Sequence, residues 1–208
     1  MKILKSKYSS LDDSELMTMV ANGNEAAFSK IYDKWSKPIL NYFYKMLWQD
    51  QQKAQDFTQD LFTKIIHKPK LYNTSKSFKT WIYTVAYNMC KNEYRKQETR
   101  RNASSELFKQ NINIESNKSD NSYDKKIFHK RLNQELDQLS VSHKKVFIMR
   151  MKHNLSIKEI AEIMETSEGT IKSRIFYTLK KLSENLKEFN PASSVALILL
   201  INELLFNS

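Results

Sequence analysis

Two glycines, three prolines and one cysteine are all that 208 residues supply of those three types. Strand-like alternation bounded by turn pairs is absent, and a β-rich or glycine-looped nucleotide-binding fold needs far more glycine than Gly23 and Gly169. Cys90 alone permits neither a disulfide within the chain nor a thiolate cluster for zinc, which fits a reducing cytoplasm. The start, "MKILKSKYSSLDDSEL", holds no apolar stretch long enough for a secretory signal. The one strongly apolar run, Val195–Phe206, is 12 residues long. A bilayer-spanning helix needs about 20, so no membrane span is expected. There is no P-loop, no metal-ligand cluster and no nucleophile–base pairing, and His67, His129, His143 and His153 are scattered. Neither catalysis nor a metal or cofactor is expected.

What is present is positive charge and helical rhythm. Lys and Arg number 34 against 23 Asp and Glu, a net charge of +11. That excess favours a polyanionic partner, nucleic acid or an anionic membrane face, although a basic surface can also be merely solvated. Asp12 and Glu15 stand at capping-box spacing and open a first helix, which Gly23 stops before a second begins. The second carries Ala27, Phe28, Ile31, Tyr32, Trp35, Ile39, Tyr42, Phe43 and Met46 in a 3.6-residue rhythm. Pro38 falls inside it, which predicts a kink or break near Lys37. A third helix, 51–67, turns Phe57, Leu61, Ile65 and Ile66 inward and ends before Pro69. A fourth reaches toward Arg100. The expected fold is all-α: a helical domain over residues 1–98, a flexible Asn/Ser-rich linker over 99–124, a second helical domain over 125–190, and an apolar extension over 191–208.

Two stretches carry the chemistry. In the second half, Ser156 and Glu159 mark a capping box, and "SEGTIKSRIFYTLKKL" follows after a turn near Glu165–Thr166. Ile157, Ile160, Ala161 and Ile163 face inward on one helix, and Ile171, Ile175, Leu179 and Leu182 on the next, which makes a helix-turn-helix. Its second helix presents Glu168, Thr170, Lys172, Ser173, Arg174 and Tyr177 for duplex DNA, with Gly169 allowing close approach of the backbone. In the first half, "SFKTWIYTVAYNMCKNEYRK" mixes aromatics, amides and cations, the chemistry that stacks unpaired bases, bonds their edges and holds phosphates. By composition alone, a core helix with a wet edge explains that stretch equally well.

"DFTQDLFTKIIHKP", then "SFKTWIYTVAYNMCKNEYRK", then "LDQLSVSHKKVFIMRMKHNLSIKEIAEIMETSEGTIKSRIFYTLKKL" together resemble the bacterial extracytoplasmic-function (ECF) sigma factors. The resemblance covers Leu11–Arg101 and Leu132–Leu186 in the family's order and spacing. It implies that Asp56, Gln59, Asp60 and Phe62, in the pattern D-x-x-Q-x-x-F, dock on the clamp helices of RNA polymerase. It implies that Lys79, Trp81, Tyr83, Asn88, Lys91, Asn92 and Arg95, with the loop Lys68–Ser77, engage the −10 element and its flipped non-template base. The second-half residues then hold the duplex −35 element, and the polymerase flap joins the contact set. Three positions depart from frequent family residues: Tyr87 and Tyr177 replace basic ones, and Asn92 an aspartate.

The implied partners are core RNA polymerase, promoter DNA as duplex and as non-template single strand, and an anti-sigma factor or other recruiting protein. The extension 191–208 is expected either to fold onto its own domain or to dock on such a partner. Competing readings are a helix-turn-helix regulator with a helical sensor domain, a membrane-surface protein, and a sigma-like factor whose target a partner chooses.

Overall fold

The computed structural model describes residues 11–103, 131–132 and 134–186. The body of the expected linker and the extension 191–208 lie outside the described residues. Among those described, all regular structure is helical. Two compact units divide the chain, the first formed largely by residues up to Lys96 and the second largely by those from Gln97 on.

Helix α1 (Asp13–Ala21) starts on a complete capping box. The Asp12 carboxylate accepts from the Glu15 amide at 2.8 Å, and Glu15 accepts from the Asp12 amide at 2.8 Å. Gly23 takes the left-handed conformation (φ 80°) that ends α1, and Asn24 caps α2 (Glu25–Met46) by accepting from the Ala27 amide. Helix α2 runs through Pro38 without the expected break. A proline inside a helix costs about 3 kcal/mol. Here the opposing term is larger, because Ile31, Trp35, Ile39, Tyr42, Phe43 and Met46 are all buried along one face that a break would split. Pro38 itself is only half-buried, and Lys34, whose carbonyl loses its partner, is an exposed residue.

Trp48 and Gln49, both with positive φ (56° and 61°), turn the chain into α3 (Gln51–His67), capped by Asp50 on the Lys53 amide. Leu61 and Ile65 are buried, and Phe57 is half-buried against Phe43, its ring centroid 5.5 Å away. Ile66, expected to face inward, is 49% exposed. Its neighbour Ile65 already fills the core direction, and one residue further turns the side chain about 100° away. A short 3-10 turn (Pro69–Leu71) follows, and then α4 (Phe78–Ala103), which extends through the first residues of the segment expected as linker.

Burial along α4 falls on Phe78, Ile82, Ala86 and Cys90, one residue per turn, with Thr80 and Tyr83 beside them. This seam meets the aromatic face of α2: Trp35 lies edge-on to Phe78 (5.7 Å) and to Tyr83 (6.3 Å), and Tyr42 packs on Tyr83 (5.4 Å). At the far end, the Tyr94 hydroxyl donates to the Met46 carbonyl, and Lys53 pairs with Glu93 at 2.8 Å. Burial pushes the pKa of the Tyr42 and Tyr94 hydroxyls up, so both stay neutral.

The second unit opens on helical residues 131–132 and 134–137 and continues into α5 (Val141–His153), capped by Ser140. Asn154 closes α5 in the left-handed conformation (φ 48°). Helices α6 (Ile157–Ile163) and α7 (Glu168–Asn185) then form the expected helix-turn-helix. Its inward residues Ile157, Ile160, Ala161, Ile163, Ile171, Ile175, Leu179 and Leu182 are buried, together with Val146, Met149 and Leu155 from before it.

Tyr72 holds the loop ahead of α4. Its hydroxyl donates to the Lys76 carbonyl at 2.6 Å, so the Ser14 hydroxyl, also at 2.6 Å, is the donor to Tyr72. Replacing Tyr72 with Phe removes the side-chain donor to the Lys76 carbonyl and leaves the Ser14 hydroxyl only the Thr74 carbonyl, 3.4 Å away. The expected loss is about 1–2 kcal/mol in urea unfolding, with faster amide exchange confined to residues 73–77.

Candidate nucleic-acid and polymerase interface

The seam of α4 decides which side chains remain for a ligand. Trp81, Asn88 and Arg95 are seven residues apart, almost two full turns, and so form one outward stripe. Lys91 and Asn92 flank it, and Asn88, Lys91, Asn92 and Arg95 are all exposed. The stripe therefore begins with a ring and continues with amides and cations in alternation, Asn88, Lys91, Asn92 and Arg95. Trp81 is half-buried, braced by Tyr72 at 5.1 Å and Phe78 at 5.5 Å, with one part of the indole left to solvent. A ring held this way loses little rotamer freedom on stacking.

Two of the expected residues do not join the stripe. Tyr83 is 2% exposed, locked between Trp35 and Tyr42, and serves the core. Lys79 is half-buried and sits about 200° around the helix from Trp81, on another side. The loop that precedes α4 is shaped locally: Asn73 accepts from both the amide (3.0 Å) and the hydroxyl (2.8 Å) of Ser75. Tyr72 and Ser14, which hold that loop, were not foreseen. No local pattern signals a contact between residues 58 positions apart.

On α3, Asp56, Gln59 and Asp60 are exposed on one face, with Gln52 donating to Asp56 at 3.2 Å. The face is made of carboxylates and amides on a chain that is otherwise strongly basic. Phe62 is absent from it. Only 3% exposed, it packs edge-on against Tyr32 (4.8 Å) and Phe28 (6.3 Å) and fixes α3 to α2. The expectation that Phe62 touches a partner is corrected to a packing role, because a buried ring offers nothing to dock on.

In the second unit, α6 starts on the expected capping box, with Ser156 and Glu159 bonded reciprocally at 2.7 and 3.1 Å. Glu165 takes positive φ (52°) in the turn, and Ser167 caps α7 on the Thr170 amide at 3.1 Å. Glu168, Lys172, Ser173 and Tyr177 are exposed, and Thr170 and Arg174 are half-exposed. Thr170 and Ser173 are partly engaged with their own helix start, Thr170 Oγ1 lying 2.9 Å from Ser167 Oγ and Ser173 donating to the Thr170 carbonyl at 3.0 Å. Phe176, not singled out beforehand, is 44% exposed beside Tyr177. The period Ile171, Ile175, Leu179 already excluded it from the core.

Among the described residues, no cluster of His, Cys, Asp and Glu could hold a metal ion, and no helix is long and apolar enough to cross a membrane. A helix-turn-helix with an exposed polar face in one unit and a stripe of ring, amides and cations in the other are the features of a helical DNA-binding class. Residues 31–100 match the family model for sigma-70 region 2, and residues 129–182 match that for sigma-70 region 4. The chain belongs to the sigma-70 family of transcription initiation factors, and several of the relatives it is similar to are named ECF sigma factors. It is 25% identical over 182 residues to the RNA polymerase sigma-H factor of Pseudomonas aeruginosa, covering 84% of this chain and 94% of that one. It is 27% identical over 165 residues to the RNA polymerase sigma factor YlaC of Bacillus subtilis, covering 75% and 90%. Among solved structures, the sigma factor RpoE of Bartonella quintana, in complex with the anti-sigma factor NepR, shares the fold. The TM-score is 0.65 at 21% identity, over 77% of this chain and 96% of that one. With region 2 matched, the first half is no unrelated sensor domain.

His143 gives the stability of the second unit a pH dependence. Partial burial, and then the Arg174 and Lys181 cations of α7, lower its pKa, while Ser140 lies 2.6 Å from Nδ1. The folded state therefore binds this proton less readily than the unfolded chain does. Stability from this site is intact above the ordinary imidazole value of about 6.5 and falls as pH drops through it. His143→Gln is expected to flatten the slope of unfolding midpoint against pH on the acid side of about pH 6.5, with no change above about pH 7.5.

Proposed function

We propose that this chain brings core RNA polymerase to promoters by holding DNA at two places. The observation that carries the reading is the outward stripe of α4, which sets a ring, two amides and two cations side by side, the combination that suits an unpaired, charged strand. Trp81 would stack a base of the −10 element, Asn88 and Asn92 would bond base edges, and Lys91 and Arg95 would hold phosphates. Stacking is worth about 1–3 kcal/mol per base, enough for a few contacts to offset much of the cost of opening the duplex locally. Asp56, Gln59 and Asp60 form the docking face for polymerase, with Phe62 supporting it from beneath. In the second unit, Glu168, Thr170, Lys172, Ser173, Arg174 and Tyr177 would grip the duplex −35 element, with the half-site read from the start of α7.

The segments 1–98 and 125–190 act as the two DNA-holding domains and 99–124 as the linker that spans them on polymerase. The chain performs no bond chemistry itself, and its place of work is the cytoplasm, where polymerase and promoter are. Its regulator is an anti-sigma factor that covers one of these faces, as NepR accompanies the Bartonella protein. Transcription in vitro with core polymerase on genomic fragments, followed by mapping of start sites, tests the reading as a whole. Start sites identical to those made by core polymerase alone would overturn it.

Two variants separate the faces. Gln59→Arg puts a long cation on the carboxylate–amide face and is expected to weaken binding to core polymerase at least about tenfold, or about 1.4 kcal/mol, with the unfolding midpoint unchanged. Unaltered affinity removes the docking assignment. Asn88→Ala is expected to preserve binding to upstream duplex and to abolish permanganate reactivity of thymines in the opened region. Equal reactivity in both proteins counts against Asn88 as a base contact.

A further inference from the structure

Among the described residues of the second unit, Phe176 and Tyr177 are the two most exposed aromatics, at 44% and 62%. They stand together on α7, their rings edge to face with centroids 5.5 Å apart. Neither serves the core: Ile171, Ile175, Leu179 and Leu182 supply its buried period, and Thr178 is buried between the two sets. Ser173 precedes Phe176 by three residues and Tyr177 by four, and Lys172 precedes Phe176 by four, so the pair continues the outward face that carries Lys172 and Ser173. Four residues further along α7 is a rise of about 6 Å, more than one base-pair step of about 3.4 Å. The aromatic pair therefore meets a different base pair from the one that Lys172 meets.

Phe176 has no hydrogen-bonding group, so any contact it makes with a base edge is apolar. In the major groove the apolar feature that distinguishes one base from the others is the C5-methyl group of thymine. Tyr177 adds a second ring face and, at its outer end, a hydroxyl able to reach a phosphate oxygen. We infer that Phe176 and Tyr177 form an apolar shelf for thymine methyl groups, and that they make this recognition helix select thymine at one or two positions of its upstream element. The inference rests on the reading above that α7 enters the groove, and it adds a base preference that cations and hydroxyls at the helix start do not provide.

The test uses the full chain assembled with core polymerase on a promoter located by start-site mapping. Each thymine of the upstream element is replaced singly by uracil, which removes the methyl group and keeps every hydrogen-bonding edge. At one or two positions uracil is expected to weaken binding about fourfold per methyl group. In the Phe176→Ser, Tyr177→Ser double variant that sensitivity disappears, while Arg174→Ala leaves it in place. Uracil tolerated at every position, or an equal uracil penalty in the double variant, overturns the inference while upstream binding itself persists. Upstream sequence with no influence on binding at all would instead remove α7 from the groove, and the inference with it.

Discussion

The seam of Phe78, Ile82, Ala86 and Cys90 against the aromatic face of α2 is the constraint on which the first unit depends. A helix has one circumference, and committing these positions to the core determines what is left outside. The aromatic contacts that hold the seam, Trp35 on Phe78 and Tyr42 on Tyr83, are directional as well as apolar, and they fix the rotation of α4 about its own axis. A rotation of one residue, about 100°, would bury Asn88 or expose Ile82. The stripe is thus a consequence of packing, and the ring that begins it is supported from the same cluster through Tyr72 and Phe78.

Two opposite chemistries coexist in this small unit because two different helices present them. Helix α3 offers carboxylates and amides, and α4 offers amides and cations, on a chain whose net charge is +11. A partner that docks on the first face need not be a polyanion, whereas a partner on the second is favoured to be one. The Lys53–Glu93 pair ties the two helices together, and Glu93 itself lies about 140° around α4 from Asn88. In the second unit, burial first, and then the Arg174 and Lys181 cations of α7, oppose a proton on His143.

Fold alone assigns no activity, and a helix-turn-helix serves many regulators. Here the weight comes from two family matches on one chain, in order, at residues 31–100 and 129–182. The structure contributes what those matches do not: which residues of each motif are available. Phe62 and Tyr83 belong to recognisable patterns, yet their side chains are enclosed, and the patterns there record packing. Phe176 belongs to the outward face without having been part of any expectation.

Local chemistry made much of the molecule legible in one dimension. Capping boxes at Asp12–Glu15 and Ser156–Glu159, the left-handed Gly23 and the stop before Pro69 depend on residues within four positions of one another, so the sequence carries them complete. The buried period of α7 is equally local, because 3.6-residue spacing is a property of the helix itself. The continuity of α2 through Pro38 was not legible, since a propensity cost there competes with burial summed over the whole helix face. Nor was the enclosure of Phe62, which needs Phe28 and Tyr32 on another helix, or the loop held by Tyr72 and Ser14 across 58 residues. Periodicity says how side chains are spaced around a helix. Only the neighbouring helices decide which of them remain outside.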